Sequence, residues 1–180
     1  MTYSLPGWVH IVSALVALAL GGFVIASRKG TPIHRLVGLL YVLAMVLLNL
    51  SALSLYEMTG HFGPFHAGAI FSLVCVLVGT SAPILRSGNW LNRHYRWMGW
   101  SYFGLLAAGF AEAVVRVPAL EVHTAARGFE VAIGATIGFS LLGRVFMRRL
   151  GGAVTNYGPR TSTASAMAAI AGNPETAEQR

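Results

Sequence analysis

Apolar residues fill five long stretches of this chain, and the polar residues are gathered between them. The stretches are Trp8–Ser27, Leu36–Tyr56, Phe65–Leu85, Trp97–Val115 and Thr124–Met147. A hydrocarbon core about 30 Å thick is crossed by about 20 helical residues, and each stretch has about that length. The pattern therefore predicts an all-α protein, a polytopic transmembrane bundle of five spans.

The charged residues between the spans are divided by sign, and this division predicts the orientation of the bundle. Eleven of the 13 basic residues fall on one side of the spans, and the exceptions are Arg116 and Arg127. An excess of lysine and arginine marks cytoplasmic loops, so we expect the N-terminus outside and the C-terminus in the cytoplasm. The net charge of the chain is +7, and most of its basic residues would lie in cytoplasmic loops. Anionic lipid headgroups are a simpler partner for them than nucleic acid.

The character of the chain changes near its end, which predicts two regions. Residues 1–150 lie in or beside the membrane and form one transmembrane domain. Residues 151–180 are rich in alanine, threonine, serine, glycine and proline. Such a segment has little apolar surface to bury, so we expect a disordered cytoplasmic tail.

Small residues recur along spans four and five. They are Gly99, Gly104, Ala108 and Ala111 in span four, and Gly128, Gly134, Gly138 and Gly143 in span five. Because small residues let helices approach closely in lipid, we expect tight helix packing along these stripes.

Histidines form two layers at the ends of the predicted spans. His34 and His94 stand at the cytoplasmic starts of spans two and four, and His10 and His66 at the outer ends of spans one and three. Each pair lies at matching depth on parallel helices, so each could supply both axial ligands of a haem iron. The alternative is ordinary interfacial placement, since histidine has an apolar body and a polar tip. Haem b binding, with electron transfer across or within the membrane, is the leading hypothesis.

Basic residues accompany the inner histidines. Arg35 directly follows His34, and Arg96 lies two residues after His94. Guanidinium groups could bind a haem propionate, a lipid phosphate or a quinone headgroup at this depth. We expect Pro32 and Asn92 to begin the helices that carry these histidines.

A second candidate site lies in the outer layer. Glu112, with His10 and His66, would give a carboxylate and two imidazoles in a pocket open to the outside. This set is common for zinc, iron or copper, and it would equally serve a proton relay.

Structural ion pairs are the competing interpretation of the outer charges. Glu112 and Arg116 are four residues apart, and Arg127 and Glu130 three apart, so each pair shares a helix face. Ion pairs between the helices would then fix the docking of spans four and five.

Three runs of sequence carry a resemblance to a known family. They are GTPIHRLVGLLYVLAM (Gly30–Met45), HFGPFH (His61–His66) and HYRWMGWSYFGLLAAG (His94–Gly109). With Arg116 and Pro118 they resemble an uncharacterised bacterial family of multi-pass membrane proteins, the domain of unknown function 2306. The resemblance implies a compact bundle in a bacterial inner membrane, with no established activity. The matching site candidates are His34, Arg35, His66, His94, Met98, Ser101, Tyr102 and Arg116, whereas His61 and His123 are the weakest candidates.

Three functional hypotheses remain open at this point. The chain could be a haem b redox protein, a metal-binding or proton-coupled protein with its site at the outer face, or a non-catalytic membrane subunit. Whether it is an enzyme is left open. Distances between the histidines decide first among the three, because axial ligation requires two imidazoles to reach one iron.

Overall fold

Five α-helices make up the structure, a computed structural model that describes residues 4–55, 64–115 and 125–155. The helices are α1 (Leu5–Ala26), α2 (Pro32–Ser54), α3 (Pro64–Leu85), α4 (Trp90–Val115) and α5 (Ala125–Thr155). All five are long and apolar enough to cross a membrane, and no strand occurs within those three ranges. The predicted all-α bundle of five spans is confirmed, while its orientation in the membrane stays a prediction.

Side-chain caps set the starts of α2 and α4. Pro32 begins α2 as expected, and the Thr31 hydroxyl accepts a hydrogen bond of 3.1 Å from the backbone N–H three residues on. The expectation that Asn92 begins α4 was wrong, because the helix already begins at Trp90. The amide oxygen of Asn89 accepts from the backbone N–H of Asn92 at 3.4 Å and caps the helix instead.

Lys29 caps the C-terminal end of α1, before the turn that leads to α2. Its ammonium group donates to the carbonyl oxygens of Val24, Ile25 and Ser27, at 2.7, 2.6 and 3.1 Å. The last carbonyls of a helix have no partner within the helix and carry partial negative charge. The lysine therefore caps α1 just before Gly30, whose φ of 79° turns the chain toward α2.

Four of the helices form a ring. α1 packs against α2, α2 against α3, α3 against α4, and α4 returns to α1, while α5 packs against α4. α2 and α4 are thus diagonal partners that run in the same direction, and their side chains meet at the centre. The central cluster of buried apolar residues is Ala17, Tyr41, Ala44, Met45, Leu48, Val76 and Leu105.

Large apolar side chains cover much of the surface of the bundle. Large side chains such as Leu15, Phe71 and Ile84 are exposed, as suits a surface covered by lipid. Polar residues lie inside, namely Ser13, Asn49, Ser51, His66 and Ser101. Lipid is as apolar as a leucine side chain, so helices in a membrane associate through close packing and hydrogen bonds.

The last helix extends further than the predicted span. α5 ends at Thr155, beyond the span's end at Met147 and five residues into the predicted tail. Residues 156–180 lie outside the described part of the chain, so the disordered tail stays a prediction.

Candidate functional site

The inner histidines come together between the diagonal helices. His34 lies in the first turn of α2 and His94 in the second turn of α4. Their ring centroids are 6.5 Å apart, and the ring planes are inclined by 78°. The predicted pairing of parallel helices at matching depth therefore corresponds to a close approach of the two imidazoles.

A backbone carbonyl of α3 orients His94. The ring Nδ1 lies 2.7 Å from the carbonyl oxygen of Gly79. Since a carbonyl only accepts, Nδ1 carries the proton in this contact, and in the neutral ring Nε2 has the lone pair. A backbone carbonyl on one ring nitrogen is a usual partner of a histidine whose other nitrogen binds a metal.

Close packing of α3 on α4 makes this hydrogen bond possible. A Cβ added to Gly79 would lie 2.7 Å from the sulfur of Met98 and 3.1 Å from its backbone nitrogen. Met98 is one turn beyond His94 on the same helix face. Only glycine at position 79 lets the two backbones approach this closely without displacement.

His34 presents a different environment. Its side chain is half-buried, and its Nδ1 atom is buried without a hydrogen-bond partner among the described residues. A buried polar atom with no partner costs on the order of 1–3 kcal/mol. This nitrogen is therefore able to gain free energy from a ligand.

A second polar contact joins α2 and α4 two helical turns deeper in the bundle. The hydroxyl of Tyr41 lies 2.9 Å from Ser101 Oγ, and both residues are buried. Ser101 donates to the Met98 carbonyl at 2.8 Å, so the tyrosine hydroxyl is the donor in the shared contact. The positions 34 and 94, and 41 and 101, are each 60 residues apart, which shows that α2 and α4 keep one register.

Tyr102 ties this layer to α1. Its hydroxyl donates to the carbonyl oxygen of Leu18 at 3.3 Å, and its ring centroid is 6.3 Å from that of Tyr41. The resemblance singled out Ser101 and Tyr102, and the sequence places Tyr41 two turns after His34. Nothing in the sequence indicated Gly79 as a contact of the site. A backbone carbonyl acceptor has no signature in the sequence, because every residue carries the same carbonyl group.

The arginines beside the inner histidines are exposed. Arg35 on α2 and Arg96 on α4 flank the layer of the histidine pair, at the end of the bundle predicted to face the cytoplasm. Among the described residues, no contact of these side chains tests their predicted role in binding an anionic group, so that role stays a prediction.

The outer candidates do not come together as a metal site. His10 Nδ1 lies 3.4 Å from Ser51 Oγ, His66 is buried, and Glu112 is exposed. Within residues 4–55, 64–115 and 125–155, no group of three or more His, Cys, Asp or Glu side chains could hold a metal ion. The structure therefore gives no geometric support to a site of His10, His66 and Glu112.

For each predicted ion pair, the structure describes the glutamate but not the arginine side chain. Glu112 and Glu130 are exposed, whereas Arg116 and the side chain of Arg127 lie outside the described residues. The ion-pair interpretation of the outer layer therefore stays a prediction. His61 and His123 likewise lie outside the described residues.

The five apolar helices define a polytopic helical membrane protein, and a histidine pair lies at one end of its ring. Residues 7–150 match the model of a family described as predicted membrane protein (DUF2306). The match covers most of the chain, so the chain belongs to this family, and the resemblance seen in the sequence is confirmed. No curated protein and no solved structure matches the chain significantly.

Proposed function

We propose that this protein binds haem b between His34 and His94 and transfers electrons through it. The observation that carries the proposal is the separation of 6.5 Å between the two imidazole centroids. Bis-histidine haem needs two imidazoles on opposite sides of one iron, supplied here by parallel helices in one register.

The distance agrees with two rings on a single metal ion. An imidazole nitrogen lies about 2 Å from a metal that it binds and about 1 Å from its own ring centroid, so two such centroids are about 6 Å apart. The observed value exceeds this by a few tenths of an ångström. Small rotations of the side chains cover that difference.

The number of ligands also favours haem over a bare metal ion. Zinc takes three or four protein ligands, whereas the porphyrin supplies four nitrogens and leaves only two positions for the protein. Histidines 34 and 94 form a pair, and no larger group of ligating residues lies among the described side chains.

Each residue of the site has a separate part in this proposal. Haem supplies a one-electron iron centre. His94, oriented by the Gly79 carbonyl, would hold the haem through Nε2, and His34 would hold it from the other helix. Arg35 and Arg96 stand at the same layer, where guanidinium groups would neutralise the propionates. The buried Tyr41–Ser101 contact lies two turns deeper and has no part in holding the haem.

An optical spectrum of the detergent-purified protein tests the proposal. The protein is made in haem-replete cells, and its spectrum is recorded in air and after dithionite. We expect a Soret band that shifts on reduction, with sharp α and β bands. His34→Ala and His94→Ala should each remove the six-coordinate spectrum.

Tyr41→Phe is the matched control, since it removes a hydrogen bond from the same seam of α2 and α4 but no imidazole. It should keep the spectrum of the wild type. A flat visible spectrum from folded wild-type protein, together with no Soret shift on titration with hemin, would refute haem binding. Full haem binding in the double variant His34→Ala/His94→Ala would refute the assigned ligands.

A further inference from the structure

Gly38 lies on the face of α2 that points to the centre of the ring. It follows His34 by four residues and precedes Tyr41 by three, and the buried residues Met45 and Leu48 continue the same spacing. Residues spaced in this way form one stripe along a helix. Gly38 therefore belongs to the stripe that carries the inner histidine and the central core.

The space in front of Gly38 is open although its stripe faces the core. A Cβ added there would meet no heavy atom of the described residues within 4 Å. Two buried glycines of the ring are crowded, by contrast: a Cβ at Gly21 would lie 2.4 Å from the ring of Tyr102, and one at Gly79 2.7 Å from the sulfur of Met98. Protein interiors are ordinarily filled, so an unfilled position directly below a ligand candidate is distinctive.

We infer that Gly38 is the residue that makes room for the porphyrin ring, and that its missing side chain sets the size of the planar group the site accepts. This inference rests on the proposed function. A planar macrocycle held by His34 would need room beside the next turn of α2, and Gly38 lies in that turn. The half-buried state of Gly38 shows that the space is reachable from outside the ring.

The inference makes stability and haem binding change in opposite directions. In the protein without haem, Ala at position 38 fits the open space and favours the helix more than glycine does. The same methyl group takes volume from the bound porphyrin. Gly38→Ala should therefore unfold at the same or a higher temperature than the wild type, yet bind hemin several-fold more weakly. Gly38→Leu, with a larger side chain, should lose at least tenfold in hemin affinity.

Gly104→Leu is the matched control. Position 104 also has no heavy atom of the described part of the chain within 4 Å of an added Cβ, but it lies on the exposed surface of α4. The measurements are hemin titrations followed at the Soret band, and thermal unfolding of the hemin-free proteins followed by circular dichroism. The control should bind hemin as the wild type does.

The outcomes separate this inference from the proposal beneath it. If the wild type binds no hemin, the proposed function and the inference both fail. If the wild type binds hemin and folded Gly38→Leu binds it equally well, haem binding stands and the role of Gly38 is wrong. A loss of stability in hemin-free Gly38→Ala would also overturn the inference, because it would show that the space is filled.

Discussion

Replacing Gly21 by alanine should destabilise the bundle through a single methyl group. The added Cβ would lie 2.4 Å from two ring carbons of Tyr102 and 2.9 Å from a ring carbon of Tyr41. Carbon atoms in favourable contact are about 3.5–4.0 Å apart, so the ring of Tyr102 must move by about 1 Å. Both rings are rigid and hydrogen-bonded at their hydroxyl ends, which leaves them little freedom to give way.

The magnitude follows from three terms of different sign. Overpacking an interior costs about 1–3 kcal/mol. Losing the Tyr102 hydrogen bond to α1 adds about 0.6 kcal/mol, the average for such bonds between membrane helices. Alanine regains up to about 1 kcal/mol through its higher helix propensity. We expect a net loss of about 1–3 kcal/mol in the free energy of unfolding for Gly21→Ala.

Equilibrium unfolding in mixed micelles with increasing dodecyl sulfate, followed by circular dichroism, measures this loss. Gly104→Ala is the control, because it makes the same chemical change on the exposed surface of α4, where an added Cβ meets none of the described atoms within 4 Å. The control should be as stable as the wild type or slightly more so. Equal stability of Gly21→Ala and the wild type, or equal losses in the two variants, would refute the packing argument.

Three further substitutions test other contacts in the same assay. Gly99→Ala places a Cβ 2.4 Å from the sulfur of Met147, but a flexible thioether can move aside, so the loss should stay below about 1 kcal/mol; a loss as large as that of Gly21→Ala would contradict this. Tyr41→Phe should lower the free energy of unfolding by about 0.6 kcal/mol, and at most by about 1.7. In a double-mutant cycle with Ser101→Ala the two losses should be less than additive. Full additivity would show that the hydroxyls are not coupled. Lys29→Met removes the charged cap from α1 and should cost about 0.3–1 kcal/mol at low salt; a difference that does not shrink at high salt would rule out the electrostatic account.

Hydropathy located the helices but not their ends. It placed the start of the second span at Leu36 and of the fourth at Trp97, whereas the helices begin at Pro32 and Trp90. The first turns are polar, and a scan for apolar residues detects contact with lipid rather than helical backbone. For α2 the proline supplied the missing information, since its fixed φ suits the first turn. The Asn89 cap of α4 was missed because Asn92 has the same side chain and lies nearer the apolar run.

The inner histidine pair was predictable because depth in a membrane is readable from the chain. Two histidines at the starts of parallel spans must lie near one plane, and the diagonal places of α2 and α4 in the ring bring them within 6.5 Å. The glycine pattern was less informative. Gly99 and Gly143 are in close contact with neighbouring helices, while no described residue lies within 4 Å of a Cβ added to Gly104, Gly134 or Gly138. Small residues permit close approach of helices, but the packing of the whole bundle determines whether a neighbouring helix lies against them.

The ring also sets the order in which the protein can assemble. α1 and α2, or α3 and α4, are neighbours in the chain and can pair as they enter the membrane. The contacts of α4 with α1 and α2 join positions 60 to 84 residues apart, and non-local contacts of this kind are slow to form. His34 and His94 meet only when that closure is complete. An incompletely assembled chain thus has no histidine pair, and capture of a ligand by the pair would itself signal that folding in the membrane has finished.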